Sequence, residues 1–360
     1  MVARMRILYG VVGEGMGHAT RSGVLLDHLT RQHEVHVVVS GRARDYLAQR
    51  FDNVRKIWGL TIQYEGNSVR KLGTLLENLK GAVKGFPENI RAYFELVDDF
   101  KPDVVVSDFE SFSYLYAKNH MLPVISVDNM QIINRCQHDP ALIARHEQDF
   151  ELTKSIVKAK LPGCFHYLIA TFFYPELRKE RTTLLPSILR PEILDAKSEA
   201  GEHLLVYQTS TTNTGLLTAL QQCGLPCRVY GVRRGIKSDE VEGNLTYRPF
   251  SERGFIDDLR TARAVVAGGG YTLMSEAVYL RKPVLSLPVQ GQFEQTLNAL
   301  YLQQLGYGHH AEALDQRTLE AFLADVPRCA EALKAYTQDG NCLMLAALDE
   351  QIELAAARKR

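Results

Sequence analysis

The sequence predicts an α/β protein made of two Rossmann-like lobes that face each other across a cleft. Three observations predict it. Short runs continuous in Val and Ile recur with helical stretches between them, the series restarts after a proline-bracketed break, and 360 residues at 46% hydrophobic and 23% charged suffice for two ordinary cores. Runs that do not alternate in polarity mark strands covered on both faces, as in a parallel sheet with helical crossovers.

Residues 5–12 (Met-Arg-Ile-Leu-Tyr-Gly-Val-Val) form the first strand and end in a glycine-rich turn. A helix over 19–30 follows, with Leu25, Leu26 and Leu29 on one side. The rhythm repeats: strand 35–39 and helix 43–51, strand 103–107 and helix 111–120, strand 123–127 and a long polar helix over 140–160, then strand 167–170. Between Pro175 and Pro191 it breaks, because Pro186 and Pro191 bracket a segment that continues neither a helix nor a central strand. The linker is placed at 183–198. A second series then runs through strand 203–207, helix 213–222, strands 227–232 and 245–248, helix 254–261, strand 264–267, helix 272–281, strand 283–287 and helix 293–305. The domains expected are 1–185, 198–338 and a C-terminal helix over 339–360. Leu343, Leu345, Leu348, Ile352 and Leu354 make that helix apolar without saying where it docks, and a return to the N-terminal lobe is one option.

Lysine plus arginine equal aspartate plus glutamate at 42 each, so no global field draws the chain to nucleic acid. The six cysteines show no Cys-x-x-Cys pair and no histidine at zinc spacing, which reads as reduced, cytosolic thiols and no metal knuckle. The start of the chain carries no secretory pattern, and no apolar run reaches the ~18 residues that span a bilayer. Residues 1–190 are mildly basic, with 25 Lys/Arg against 21 Asp/Glu. Within them, Lys71 to Arg91 interleaves leucines with lysines, a pattern suited to an anionic bilayer surface and equally to an amphipathic helix on its own core.

Chemistry concentrates at three strand ends. Gly13-Glu14-Gly15-Met16-Gly17-His18 follows the first strand but lacks the Gly-x-Gly-x-x-Gly spacing, and Ser40-Gly41-Arg42 closes the second strand without the acidic residue a dinucleotide site wants. What it offers is His18, an imidazole at a sheet edge able to take a proton near neutral pH, or a plain helix-cap histidine. Gly268-Gly269-Gly270-Tyr271-Thr272 leaves backbone N–H groups uncovered at a helix start, an anion site for a phosphate or diphosphate, and Glu276 lies one turn on, within reach of sugar hydroxyls. Gln292, Glu294 and Gln295 follow the next strand, and a carboxylate beside an amide suits vicinal hydroxyls.

The stretches 268–277, 282–288 and 294–299 together resemble the donor-binding region of GT-B glycosyltransferases, and Gly-x-Gly-x-Gly-His resembles the glycine loop of family 28, the MurG-like group. The likeness extends to the UDP-glycosyltransferases. It implies that Glu276 holds the donor ribose, Gly268 to Thr272 the diphosphate, Glu294 with Gln295 the transferred sugar, and the backbone at Phe250 the nucleobase. It also implies that His18 is the base on the acceptor hydroxyl, that Gly13, Gly15, Gly17 and Asn129 lie on the acceptor side, and that the fold works without a metal or a further cofactor. The co-substrate expected is a UDP-sugar, and the acceptor a lipid-linked or small molecule, reached in the cytoplasm or at the inner face of the membrane. Two loops depart from the pattern. Ser107-Asp108-Phe109-Glu110-Ser111 replaces glycines, making Asp108 and Glu110 rival bases, partners that orient His18, or simply helix-capping carboxylates. Thr209 and Ser210 stand where a glycine-rich turn is expected, with hydroxyls able to bond a phosphate. The expected reaction is a single displacement with inversion. A UDP-sugar 2-epimerase or a non-catalytic sugar-nucleotide binder is the alternative.

Overall fold

The computed structural model describes residues 4–13, 15–59, 64–65, 68–69, 87, 89–208, 214–233 and 235–358. The chain divides into two compact units: Met1–Gln63, Arg70–Arg190 and Asp339–Arg360 in one, Tyr64–Val69 and Pro191–Gln338 in the other. Each is built on a seven-stranded sheet flanked by helices.

In the first unit the strands are β1 (Arg6–Val11), β2 (Glu34–Val39), β3 (Val54–Lys56), β4 (Val104–Asp108), β5 (Val124–Asp128), β6 (His166–Thr171) and β7 (Thr182–Pro186). They lie in the order β3-β2-β1-β4-β5-β6-β7, every neighbour parallel. The switch point, where successive connections leave in opposite directions, is therefore between β1 and β4, and ligand crevices of such sheets form at the carboxyl ends of the strands there. The helices that matter are α1 (Met16–Leu29), α2 (Ser111–Asn119) and α3 (Glu147–Lys160). Leu8, Val38, Val105, Val124 and Tyr167 share one buried cluster with Phe100 and Tyr116. At about 1.5–3 kcal/mol per fully buried large apolar side chain, burial in this cluster stabilises the sheet that carries the site.

The second unit carries β8 (Leu204–Tyr207), α4 (Thr214–Gln222), β9 (Cys227–Tyr230), β10 (Glu240–Glu242), β11 (Leu245–Tyr247), α5 (Glu252–Arg260), β12 (Ala264–Ala267), α6 (Tyr271–Tyr279), β13 (Val284–Ser286), α7 (Phe293–Gln304), β14 (Gly308–His310) and α8 (Gln316–Ala332). Its order, β10-β11-β9-β8-β12-β13-β14, puts the switch point between β8 and β12. Among the described strands of this sheet, only the β10–β11 pair is antiparallel.

Several elements differ from the sequence reading. The linker expected from 183 begins as strand β7, and Pro186 is its last residue, at the sheet edge where a missing N–H breaks no ladder. The helix expected over 140–160 is three pieces, 140–143, 144–146 and α3. Helix α8 carries Pro327 in its interior, a residue that argues against a helix on sequence grounds, and was not anticipated, nor were β10 and β14. The C-terminal helix α9 (Cys342–Ala357) packs on β4, β6 and β7 of the first unit, and Nε2 of His28 on α1 lies 2.9 Å from both carboxylate oxygens of its Asp349. No described helix is long and apolar enough to cross a membrane. Most of the stretch from Lys71 to Arg91 lies outside the described residues.

Candidate active site

In the first unit the pairing of β1 with β4 sets Val11 opposite Asp108, so the loop after β1 closes over the last residue of β4. Gly13 makes that closure feasible: its N–H donates to Ser40 Oγ at 2.9 Å, and a Cβ there would sit 1.9 Å from the Ser40 carbonyl oxygen. Gly15 takes φ +82°, a left-handed value that favours glycine, and turns the chain into α1. His18 then lies in the first turn of α1, with Nδ1 2.9 Å from Asp108 Oδ1. Arg21, one turn further, donates from Nη2 to the same oxygen at 3.0 Å, and Ser22 Oγ donates to Oδ2 at 3.1 Å. Asp108 is only 1% exposed, so this carboxylate is held wholly by protein groups. Burial alone raises its pKa, but Arg21 and His18 outweigh that and hold it down at about 2. Burial lowers the pKa of His18, against the pull of Asp108. A neutral imidazole whose Nδ1–H donates a hydrogen bond to a fixed carboxylate presents Nε2 as a base.

The other two acidic groups at this edge are placed differently. Glu110 is the N-cap of α2: Oε1 accepts from the Phe112 N–H at 2.6 Å and Oε2 from the Ser113 N–H at 2.6 Å. Both of its oxygens are engaged by the helix start, so it serves as a cap, with none of the contact to His18 that Asp108 makes. Asp128, at the end of β5, accepts from Ser126 Oγ and the Gln131 N–H, and burial pushes its carboxyl up to about 6. Asn129 is buried beside it.

In the second unit β12 runs into Gly268-Gly269-Gly270 and then α6. The middle glycine is packed hard against α7: a Cβ on Gly269 would lie 2.4 Å from the Gln295 carbonyl oxygen, whereas one on Gly270 would meet nothing within 4 Å. Gln295 Oε1 accepts from the Gly269 N–H at 3.2 Å and from the Val289 N–H at 3.1 Å, and its Nε2 donates to Gln292. Asn298 Nδ2 donates to the Gly269 carbonyl at 3.1 Å and to Glu294 Oε1 at 2.6 Å. Gln295 and Asn298 thus pin the glycine turn to α7, leaving the start of α6 as a preformed turn whose first-turn amides find no acceptor within their own helix. Tyr271 and Glu276 are buried on α6, and Thr272 is half-buried. Beside β8 and β9, a cavity of about 240 Å³ is lined by Tyr207, Arg233, Ile236, Arg248 and Phe250. Phe250 is 71% exposed at its rim. Arg248 is held there by Asp239 Oδ2 at 2.9 Å and by buried Asp258 Oδ2 at 3.1 Å.

A sequence profile described as glycosyl transferase family 1 matches residues 5–327. The chain belongs to glycosyl transferase family 1. Curated relatives include an uncharacterized glycosyltransferase of Methanosarcina mazei, 25% identical over 337 residues that cover 84% of this chain and 85% of that protein. A second, from Methanosarcina acetivorans, is 26% identical over 333 residues covering 84% and 85%. Among solved structures, the calicheamicin glycosyltransferase CalG4 matches with a TM-score of 0.66 at 16% identity, over 99% of both chains. The MurG of Acinetobacter baumannii matches with a TM-score of 0.58 at 14% identity, over 96% of this chain and 99% of that one. The chain is a glycosyltransferase with the two-lobed GT-B-like fold.

Within this glycosyltransferase the residues singled out from sequence separate into two sets. His18 and Asp108 come together on the first unit. Gly268, Gly269, Gly270, Gln292, Glu294 and Gln295 come together on the second. Thr209 and Ser210 lie outside the described residues. Sequence reasoning missed Arg21 and Ser22, whose one signal is their spacing of three and four from His18, which returns a helix to the same face. It also missed Arg233, which has no motif around it, and gave no role to Arg248, which stands two residues before Phe250. Among the described residues, one group of three has the atoms to hold a metal ion: His309, Asp325 and Cys329, within 4.8 Å of one another. Its carboxylate is already bonded by Arg328 and by His309 Nε2 at 2.7 Å.

Proposed function

We propose that this glycosyltransferase transfers a sugar from a UDP-linked donor to an acceptor hydroxyl, with inversion and without a metal ion. The observation that carries the reading is the 2.9 Å contact of His18 Nδ1 with buried Asp108, because it leaves Nε2 to take the hydroxyl proton as the acceptor oxygen attacks the anomeric carbon. As the bond to the diphosphate breaks, negative charge grows on the leaving group. The first-turn amides of α6 and its dipole favour such charge at the glycine turn. The cavity lined by Tyr207, Arg248 and Phe250 has the size and the aromatic rim for the nucleobase, and Glu276, Glu294 and Gln292 supply groups for the ribose and the sugar.

Gln295 enters this reading with a changed part. Its amide oxygen is spent on the Gly269 and Val289 N–H groups, so it shapes the turn rather than reading the sugar. The family 28 likeness, carried by the loop 13–18 and Asn129, and a lipid-linked acceptor belong to the same reading. Sedimentation with anionic liposomes at low salt tests the lipid part, and protein left in the supernatant counts against it. The central test is incubation with a panel of nucleotide sugars, with and without acceptors, followed by release of the nucleotide. UDP-sugars are expected to raise the melting temperature and to release UDP when an acceptor is present, in EDTA as well. Stabilisation by guanosine or adenosine diphosphate sugars instead would overturn the UDP assignment.

A further inference from the structure

The proton-handling group on the first unit has three members. Arg21 lies three residues beyond His18 on α1, so one helix face aims both at Asp108. Nη2 of Arg21 is 2.7 Å from His18 Nδ1 and 3.0 Å from Asp108 Oδ1, and Nδ1 is 2.9 Å from that same oxygen. These three atoms close a triangle. Within it Nδ1 either donates to the carboxylate or, when the ring proton sits on Nε2, accepts from the guanidinium. A carboxylate alone beside an imidazole stabilises the imidazolium and raises its pKa, whereas here a permanent cation shares that carboxylate.

We propose that Arg21 is a positioning residue: by pairing with Asp108 and lying against Nδ1, it keeps His18 a neutral base at physiological pH while the ring stays aimed by the carboxylate. The inference rests on His18 being the base of the transfer reaction. Burial is the largest influence that lowers the pKa of His18; of the charged groups that bear on it, Asp108 from β4 raises it, and Arg21 from its own helix and Lys160 from the end of α3 lower it. Asp108 in turn raises the pKa of the Asp128 carboxyl, at the end of β5, and of the Tyr9 hydroxyl on β1, both of which burial already pushes up. Arg21 is 4% exposed, so water screens this arrangement little. When Nε2 takes the acceptor proton, Nδ1–H keeps its hydrogen bond to the ionised Asp108, and the new positive charge on the ring faces Arg21. That charge is then short-lived, which favours return of the ring to its neutral form for the next turnover.

The imidazole titration reads this directly. Nitrogen–proton correlation spectra of the full chain, with the His18 resonance identified by its loss in His18→Gln, are expected to show a midpoint below the ordinary 6.5. Arg21→Gln removes a cation, so the midpoint rises, by about one pH unit. Arg21→Lys keeps the charge and leaves it near the wild-type value. In active preparations the acid limb of the kcat/KM profile moves up in step with Arg21→Gln. A wild-type midpoint at or above 6.5, or an Arg21→Gln midpoint unchanged or lowered, overturns the proposal. The first of these outcomes needs no Arg21 variant to fold. The titration also needs no sugar donor. A protein that titrates as expected yet transfers no sugar defeats the catalytic reading alone, and an active one with an unshifted midpoint defeats only the assignment to Arg21.

Discussion

The two sheet edges share a topology and differ in what they present. At the β1–β4 switch point the first unit presents side chains: an imidazole, a guanidinium, a hydroxyl and a carboxylate bonded to one another and largely shut off from water. At the β8–β12 side the second unit presents backbone, a glycine turn pinned from behind by the amides of Gln295 and Asn298. The difference follows from the tasks proposed for each. Moving a proton needs a group whose charge state is set by neighbours, whereas holding a diphosphate needs several donors at fixed positions, which a helix start supplies without titrating.

The sharpest way to break this contrast is to remove the base. His18→Ala is expected to lower kcat by about 10³-fold, within the range general bases contribute, with UDP affinity nearly unchanged in calorimetry. A large loss of UDP binding instead would erase the division of labour. Asp108→Asn comes next: it leaves Arg21 buried without its counter-charge and is expected to lower kcat by about 10²-fold and destabilise the fold by about 3 kcal/mol in urea unfolding. The sign of its pH dependence is fixed, because Asp108 titrates near 2 in the fold and near 3.8 unfolded. Its contribution is complete above about pH 4 and disappears as pH falls toward 2, so the gap between wild type and variant narrows on acidification.

The glycine turn sharpens the other half. Gly269→Ala, whose Cβ would press on the Gln295 backbone, is expected to weaken UDP binding about tenfold and to cost about 1–3 kcal/mol of stability. Gly270→Ala, which meets open space at φ −63°, is expected to leave stability within about 0.5 kcal/mol. Equal effects at both positions would mean that packing against α7 does not shape the turn. A further effect on stability lies at Asp128. Its folded pKa of about 6 lies above the unfolded 3.8, so wild-type stability falls as pH rises between those values. Asp128→Asn removes this slope, and thermal melts are expected to show it gaining a few degrees over wild type at pH 8 and less at pH 5.

The sequence alone determined the class and much of the order of elements. Val/Ile runs such as Val37–Val39 and Val104–Val106 are apolar throughout because both faces of a parallel sheet are covered, and that requirement is local enough to read. The glycine turns at 13–17 and 268–270 and the imidazole after the first were legible for a similar reason, since each stands next to the strand that places it. Strand β7 and helix α8 were not, because sheet pairing and packing overrode the local signal of Pro186 and Pro327. Tertiary structure alone decided which carboxylate contacts His18. Asp108 and Glu110 stand two residues apart with the same charge, yet strand pairing turns the first toward α1, 90 residues earlier in the chain, while the second is consumed capping α2. It also decided that Arg21 joins them, that Gln295 faces a backbone 26 residues away, and that α9 returns to the first unit through Asp349 and His28, 321 residues apart. Contacts over such separations depend on how sheets and helices pack in space, and no window of neighbouring residues carries that information.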